Sequence, residues 1–326
     1  MPIKMKVCNV ADYNESLKKR GRIFYLFDEA AKVWLYNAVN KKKGAKYTYS
    51  NRLIEILATF RYLFKYPYRQ LEGLLEEYAA RNNLKLPIPD FTTLCRRMAK
   101  LSSTIKDHRN KNEIAASGCV DVLIDSTGIN IYHTSSSRSN DNGYVRPYKH
   151  LDQVRKMHVA LNPESKTVLS MKMSKGNIVD SDIVPTLLKG ISCSVNSVCA
   201  DRAYDRMKVR NECFIRNAKQ IIPPKRDAVI RRPKKGEPTG LWEERNAAIH
   251  FISRYRDREE GRKKWQENNG YGRRSLIEAF FGKFKTIFGF HFMSKSEQAR
   301  ESELMIKVNM LNSYNQLGRA YFKRAA

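Results

Sequence analysis

A tyrosine, an arginine, a glutamate and a lysine recur at short intervals in the segment Y-G-R-R-S-L-I-E-A-F-F-G-K-F-K. At about 100° per residue on an α-helix, four polar side chains fall within an arc of roughly 60°: Tyr271, Arg274, Glu278 and Lys285. This face suits a metal ion beside a phosphodiester, because a carboxylate can hold the metal while the two cations neutralise phosphate oxygens. The plainer interpretation is a solvated face with an ordinary i,i+4 ion pair.

An apolar stripe adjoins this polar face. It comprises Ile277, Phe281, Phe284 and Phe288. The stripe predicts that the helix packs on a core, which would hold Glu278 in a fixed direction.

Two further acids follow strand-like runs. Asp125 ends the apolar run in V-D-V-L-I-D-S-T-G, and Asp201 follows V-N-S-V-C-A. Each of them could simply cap the next turn. If the fold brings them to Glu278, three carboxylates can hold two divalent cations about 4 Å apart. Because the ligands are hard oxygens, we expect Mg²⁺, for which Mn²⁺ can substitute.

The charge balance favours a polyanionic partner. The chain has 61 Lys and Arg against 33 Asp and Glu, a net charge of +28, and 17 Tyr and 14 Phe lie among them. Cations spread along the chain in this way favour nucleic acid over a membrane surface. The sequence has no apolar run of the length of a membrane span and no signal-peptide core, so we expect a cytoplasmic, nucleoid-associated protein. Its six cysteines form no C-x-x-C pair, which disfavours a zinc site.

The central and C-terminal parts predict an α/β domain. From residue 118 the patterns give three strands, a helix, a strand, a helix and a strand, the order of a ribonuclease H-like domain with a mixed five-stranded sheet. We assign residues 118–326 to this domain, with an insertion at about 225–270 that is too long to be an unstructured loop.

The N-terminal part predicts helices. We assign residues 1–46 to an N-terminal extension, in which Ile23, Tyr25 and Phe27 alternate as in a short strand. Residues 47–117 form a mainly helical, helix-turn-helix-like DNA-binding domain whose last helix carries Arg96 and Arg97. A plain helical bundle is equally compatible with this pattern.

The motifs described above resemble a known family. The spacing Y-(2)-R-(3)-E-(6)-K is similar to the signature of bacterial insertion-sequence transposases with a DDE triad, and within that group the chain most resembles the insertion-sequence-five family. Further likeness lies in Y-N-E-S-L-K-K-R-G, Y-R-Q-L-E-G and P-I-P-D-F-T-T-L-C-R-R, so it extends over most of the chain, from about residue 13 to 318.

This resemblance implies catalytic, metal-binding roles for Asp125, Asp201 and Glu278. The implied activity is binding of terminal inverted repeats in double-stranded DNA, strand cleavage, and joining to target DNA. Because two ends must be cut together, we expect a homodimer in the active complex. The alternatives are a captured DNA-binding or regulatory protein without turnover, and another ribonuclease H-like nuclease.

Several other residues have two interpretations. Lys156 and His158 share one face of a strand and could contact DNA or only pack in the sheet. Trp265 could stack on an unpaired base or anchor the insertion. Val179 stands where the family commonly has a histidine, which favours a helix-capping role for the following Asp180.

Overall fold

The computed structural model describes residues 5–35, 48–101, 105, 118–131 and 153–324. Its contacts divide the chain into two units, one of residues 1–104 with 292–326 and the other of residues 105–291. The Lys-rich sequence at 41–46, which suggests a basic linker, and the Ser-rich sequence at 134–143, which suggests a polar loop, lie outside the described residues. Among the helices in those ranges, none combines the length and apolar character that a membrane crossing requires.

The first unit is mainly helical. Its helices are α1 (Val10–Gly21), α2 (Tyr25–Lys32), α3 (Asn51–Phe64), α4 (Tyr68–Arg81), α5 (Phe91–Ala99) and α11 (Glu297–Gln316), and strand β1 (Met5–Val7) pairs antiparallel with β7 (Phe322–Arg324). The start of α3 follows from its sequence, because the Ser50 hydroxyl accepts a hydrogen bond from the Leu53 N–H at 3.0 Å. The Asp90 carboxylate likewise caps α5.

The strand predicted at Ile23 to Phe27 is wrong, because α2 begins at Tyr25. Phe27 and Ala30 are three residues apart and both are fully buried, so the helical period determines which side chains reach the core. The Phe27 ring stacks on Phe60 of α3, with 4.3 Å between the ring centroids. A continuous apolar run cannot distinguish a buried strand from a buried helix by alternation alone.

The C-terminal segment also differs from prediction. We assigned residues 118–326 to one domain, but residues 292–326 group with the first unit. Ile306 of α11 joins the same hydrophobic core as α3 and α5. The buried Glu303 carboxylate pairs with Lys307 and accepts hydrogen bonds from the N–H groups of Met293 and Ser294.

The second unit is built on the predicted mixed five-stranded sheet. Its strands are β2 (Cys119–Asn130), β3 (Val154–Leu161), β4 (Val168–Lys175), β5 (Ser194–Cys199) and β6 (Lys219–Ile221), in the order β4-β3-β2-β5-β6. The pairs β2–β3 and β3–β4 are antiparallel, whereas β2–β5 and β5–β6 are parallel. This arrangement agrees with the ribonuclease H-like order predicted from the sequence.

Helices accompany the sheet and form most of the insertion. They are α6 (Val184–Lys189), α7 (Met207–Ile215), α8 (Glu243–Ser253), α9 (Arg258–Asn268) and α10 (Ser275–Phe288). Side chains of β2, β5, α6 and α7 share one buried apolar cluster. The predicted insertion therefore has its own secondary structure, in α8 and α9.

Candidate active site

Asp125 lies in β2, within a run of buried aliphatic residues that includes Val122 and Ile124. One carboxylate oxygen, Oδ1, accepts a hydrogen bond from the Ser126 N–H at 2.8 Å. The other, Oδ2, lies 2.9 Å from Nη1 of Arg274. The strand therefore presents a mostly buried carboxylate whose two oxygens are both engaged.

Asp201 lies beside Asp125 because of the strand register. In the parallel pair β2–β5, Leu123 is opposite Cys199, and each acid comes two residues later. Neighbouring strands are about 4.8 Å apart, so this register places Asp201, just after the end of β5, beside Asp125 within β2. The Asp201 carboxylate also accepts a hydrogen bond from the Ala203 N–H at 2.8 Å, the capping contact that the alternative interpretation predicted.

Glu278 lies in the first turn of α10. The predicted apolar stripe is buried in this helix: Ile277, Phe281, Phe284 and Phe288. Glu278 is on the adjoining, solvent-facing side, with 55% of its side chain exposed. The segment Tyr271–Arg274 forms a 3₁₀ turn before α10 and not its first turn, so the single helix predicted from Tyr271 is shorter at its start.

Arg274 brings the acids together. Its guanidinium binds Asp125 through one nitrogen and Glu278 through the other. Burial alone would lower the pKa of Arg274, but Tyr271 and the carboxylates of Asp125, Glu278 and Asp201 outweigh it and raise that pKa. All three predicted acids thus act electrostatically on one guanidinium.

The surroundings of Asp125 oppose the ionisation of its carboxyl group. Burial raises the pKa of its carboxyl, and the nearby charges of Asp201 and Glu278 raise it further. The Ser126 N–H and Arg274 lower this pKa but do not cancel the increase. Ionised Asp125 therefore gains from any additional cation that enters the cluster.

The donor set fits a hard divalent cation, although the side chains are not gathered around one. Within the ranges that the structure describes, no three His, Cys, Asp or Glu side chains are grouped closely enough to hold a metal ion. Arg274 lies between Asp125 and Glu278, where it supplies the positive charge. All-carboxylate oxygen ligands suit Mg²⁺ or Mn²⁺.

A second acid of β2, which the sequence analysis missed, fastens this region. Asp121 accepts hydrogen bonds from the Ser197 hydroxyl at 2.6 Å and the Asn196 amide at 2.8 Å, and Arg273 lies 2.7 Å from its other oxygen. Asp121 thereby joins β2, β5 and the 3₁₀ turn. The available signal was period 2, since Asp121 and Asp125 are four residues apart on one face of a strand.

The other residues of the motif are half-buried. Tyr271 lies close enough to Asp201 and Asp125 to feel their charges, and burial raises its pKa to about 12. The Lys285 ammonium lies 5.6 Å from the centre of the Phe290 ring, and burial lowers its pKa.

Lys156 and His158 have partners within the sheet region. The Lys156 ammonium donates to Asp180 Oδ1 at 2.8 Å and to the Ile178 carbonyl at 2.9 Å. His158 is buried, its Nε2 lies 2.7 Å from the Ser174 hydroxyl, and burial lowers its pKa to about 4. Asp180, expected to cap a helix, thus pairs with Lys156 across two elements.

The basic residues of α5 face different surroundings. Arg97 is buried and donates to the Tyr49 carbonyl and to Asn51 Oδ1, both at 2.8 Å. Arg96 is exposed. In the insertion, Trp265 is buried, which confirms its interpretation as an anchor.

Three acids that act on one guanidinium beside a mixed sheet, in a chain of net charge +28, favour a nucleic-acid phosphodiester enzyme as the class of protein. Two family models, both described as "Transposase DDE domain", match residues 18–134 and 118–313. Because the second covers more than half of the sequence, the chain belongs to the DDE transposases. It is a DNA transposase, and enzymes of this family use divalent metal ions.

Solved transposase structures share a distant likeness to the chain. A cryo-EM structure of the piggyBac transposase synaptic complex with hairpin DNA is 11% identical, with 91% of this chain and 75% of that one covered and a TM-score of 0.40. The Drosophila P element transposase strand transfer complex is 12% identical, with 87% of this chain and 70% of that one covered and a TM-score of 0.30. The Mos1 mariner paired end complex with Mn is 14% identical, with 77% of this chain and 85% of that one covered and a TM-score of 0.22. The family assignment does not depend on them.

Proposed function

We propose that this transposase belongs to the insertion-sequence-five group, binds the terminal inverted repeats of its own element, and cuts and joins DNA at Asp125, Asp201 and Glu278. The observation that carries the proposal is the interaction of all three carboxylates with one guanidinium, that of Arg274. A pair of bound Mg²⁺ ions would activate the attacking water or 3′-hydroxyl and stabilise the leaving oxygen.

The protein's own residues orient and neutralise the DNA. Asp125 lies in β2, Asp201 follows β5, and the buried face of α10 directs Glu278, so these three acids would hold the ions after their side chains come together. If bound ions held those carboxylates, the Arg274 guanidinium would be available to a phosphate oxygen. Tyr271 and Lys285 would contact phosphates on either side, because a phenol donates a hydrogen bond and an ammonium acts as a point charge.

The first unit is the proposed recognition module for DNA ends. Arg96 of α5 and Lys100, which follows the helix, are exposed, and we assign the phosphate contacts to them. The guanidinium of Arg97 is used by Tyr49 and Asn51, so we assign it the role of holding α5 against α3. Lys156 pairs with Asp180 and would reach a phosphate only after releasing that partner. A homodimer would hold two ends for coordinated cleavage.

The test is Mg²⁺-dependent nicking of a duplex made from the DNA that flanks the gene. The wild-type protein should nick the duplex at the element boundary, whereas Asp125→Asn, Asp201→Asn and Glu278→Gln should bind it and leave it intact. Each substitution removes a ligand charge and adds no bulk. Near-normal cleavage by any variant would remove that residue from the triad. Binding without any nicking by the wild type would favour the captured, regulatory protein.

A further inference from the structure

A cationic cleft lies in the second unit, apart from the three proposed catalytic acids. There, a cleft of about 210 Å³ has Asp205, Arg245 and Trp242 in its floor and Arg206, Lys225 and Arg231 around its rim. We propose that this cleft binds one phosphodiester group of the DNA strand that is being cut. The inference rests on the proposed catalytic role of Asp201 only for the identity of that strand.

The floor is rigid and carries an excess positive charge. Asp205 is buried between two arginines, with Arg210 and Arg245 each 3.0 Å from its Oδ1. Burial opposes ionisation of Asp205, but the arginines and the Lys225 N–H outweigh it and lower the pKa of the carboxyl. Two guanidiniums therefore face one carboxylate. Arg245 is held further by the Val229 carbonyl, at 2.9 Å from its Nη1.

The rim supplies three cations, of which Arg231 acts electrostatically on Glu237. Within the part of the chain that the structure describes, Arg206, Lys225 and Arg231 form no ion pair with an acid, and all three are exposed. Arg231 lies over the Trp242 ring at 4.9 Å from its centre. The acid nearest in effect, Glu237, is engaged by the Trp242 indole N–H at 2.9 Å and the Lys234 N–H at 3.1 Å.

The chemistry of the cleft favours a phosphate over a base. Arg231 and Arg245 both lie over the Trp242 ring, and the ring itself is buried, so it is not available to stack on a base. Its edge is bonded to Glu237. What remains available are N–H donors and positive charge, which suit a singly charged phosphodiester oxygen pair.

The position of the cleft links it to the acidic site. Asp201 and Asp205 are joined by the short 3₁₀ turn Arg202–Tyr204. Four residues span at most about 14 Å, which corresponds to roughly four base-pair rises of 3.4 Å. A phosphate in the cleft would therefore be within a few nucleotides of a bond held at Asp201, and would fix the register of the strand.

The experiment combines a charge-removing variant with chemically neutralised DNA. Arg206→Ala/Lys225→Ala removes two rim cations and leaves the floor and Trp242 contacts intact. The matched control is Arg232→Ala/Lys235→Ala, which removes two exposed cations nearby that do not line the cleft. Duplexes of the element end, each with a single neutral methylphosphonate at one successive position, are titrated without Mg²⁺.

For the wild type and the control variant, we expect one position near the cut site at which the methylphosphonate weakens binding by about tenfold. The rim variant should bind the unmodified duplex about tenfold less tightly and be insensitive at that position. Its slope of log K against log salt should be smaller by about 0.9, for one lost phosphate contact. Unchanged melting temperatures confirm folding.

The proposal is overturned if the rim and control variants lose the same affinity, or if the rim variant keeps the wild-type pattern of sensitivity. Either result would mean that the rim residues contribute only general positive charge and do not bind a particular phosphate. Because binding is measured without Mg²⁺, a clear pattern in a protein that never nicks DNA would reject the proposed catalysis and retain the cleft.

Discussion

At the scale of single residues, Arg274 has the most consequential position, since it binds Asp125 and Glu278 at once. If it moves to a phosphate during the reaction, Arg274→Ala should lower Mg²⁺-dependent cleavage by about 10²-fold. Arg274→Lys should recover little, because an ammonium cannot replace the planar fork. If Arg274 only pairs with Glu278, its loss should cost roughly 0.5 kcal/mol of stability and little activity. A normal cleavage rate for Arg274→Ala would end the phosphate-contact hypothesis.

Asp125 permits a prediction about stability. Its pKa is raised in the folded protein by burial and by neighbouring acids, so the carboxyl favours the fold while protonated and disfavours it as pH rises through that pKa. At neutral pH without metal, Asp125→Asn should therefore raise the melting temperature by about 2 °C. The gain should disappear in acid, and Mg²⁺ should stabilise the wild type more than the variant. A lower melting temperature at neutral pH would show that the Arg274 contact dominates.

At the scale of elements, Asp121 and Arg273 are predicted to position the catalytic turn. Arg273 ties the 3₁₀ turn to Asp121, which itself spans β2 and β5. Arg273→Gln should therefore lower the cleavage rate about tenfold with DNA affinity nearly unchanged, because one charge-assisted hydrogen bond is lost. Arg273→Lys should recover part of the rate. If Arg273 acted only through its positive charge on DNA, Arg273→Lys would recover affinity as well. Equal losses in affinity and rate would instead indicate direct contact with DNA.

The sequence predicted long periodic elements well and short ones poorly. The helical character of residues 47–117 and the strand that carries Asp125 were predicted because their apolar residues follow a clear period. The run from Ile23 to Phe27 was misread, since contacts with α3 determine its conformation. Strand register, which brings Asp201 beside Asp125, could be anticipated only from the resemblance. The Asp121–Arg273 contact spans distant parts of the chain, so local pattern gave it no signal.

At the scale of the whole molecule, the C-terminal segment departs from the predicted domain 118–326, because residues 292–326 group with the first unit. An apolar pattern of helical period carries no information about which core the helix joins. The buried pair of Glu303 and Lys307 identifies its role in the first unit. Glu303→Gln should lower the free energy of unfolding by about 3 kcal/mol, because it leaves the Lys307 ammonium buried without its charge partner.

Urea unfolding would measure this loss, and Glu303→Gln/Lys307→Met provides the control. Removing both charges should recover a substantial part of the loss. No recovery would mean that the hydrogen bonds from Met293 and Ser294 to Glu303, and not the ion pair, hold α11 in place.

The contribution of residues 292–326 to the first unit also sets an order of events in the cell. Translation emits the sheet, both insertion helices and all three proposed catalytic acids before the residues that complete the first core. On the ribosome, the second unit can therefore be fully synthesised while the first unit, the proposed DNA-binding unit, still lacks α11. A nascent chain would hold a folded nuclease with an incomplete means of finding its DNA ends.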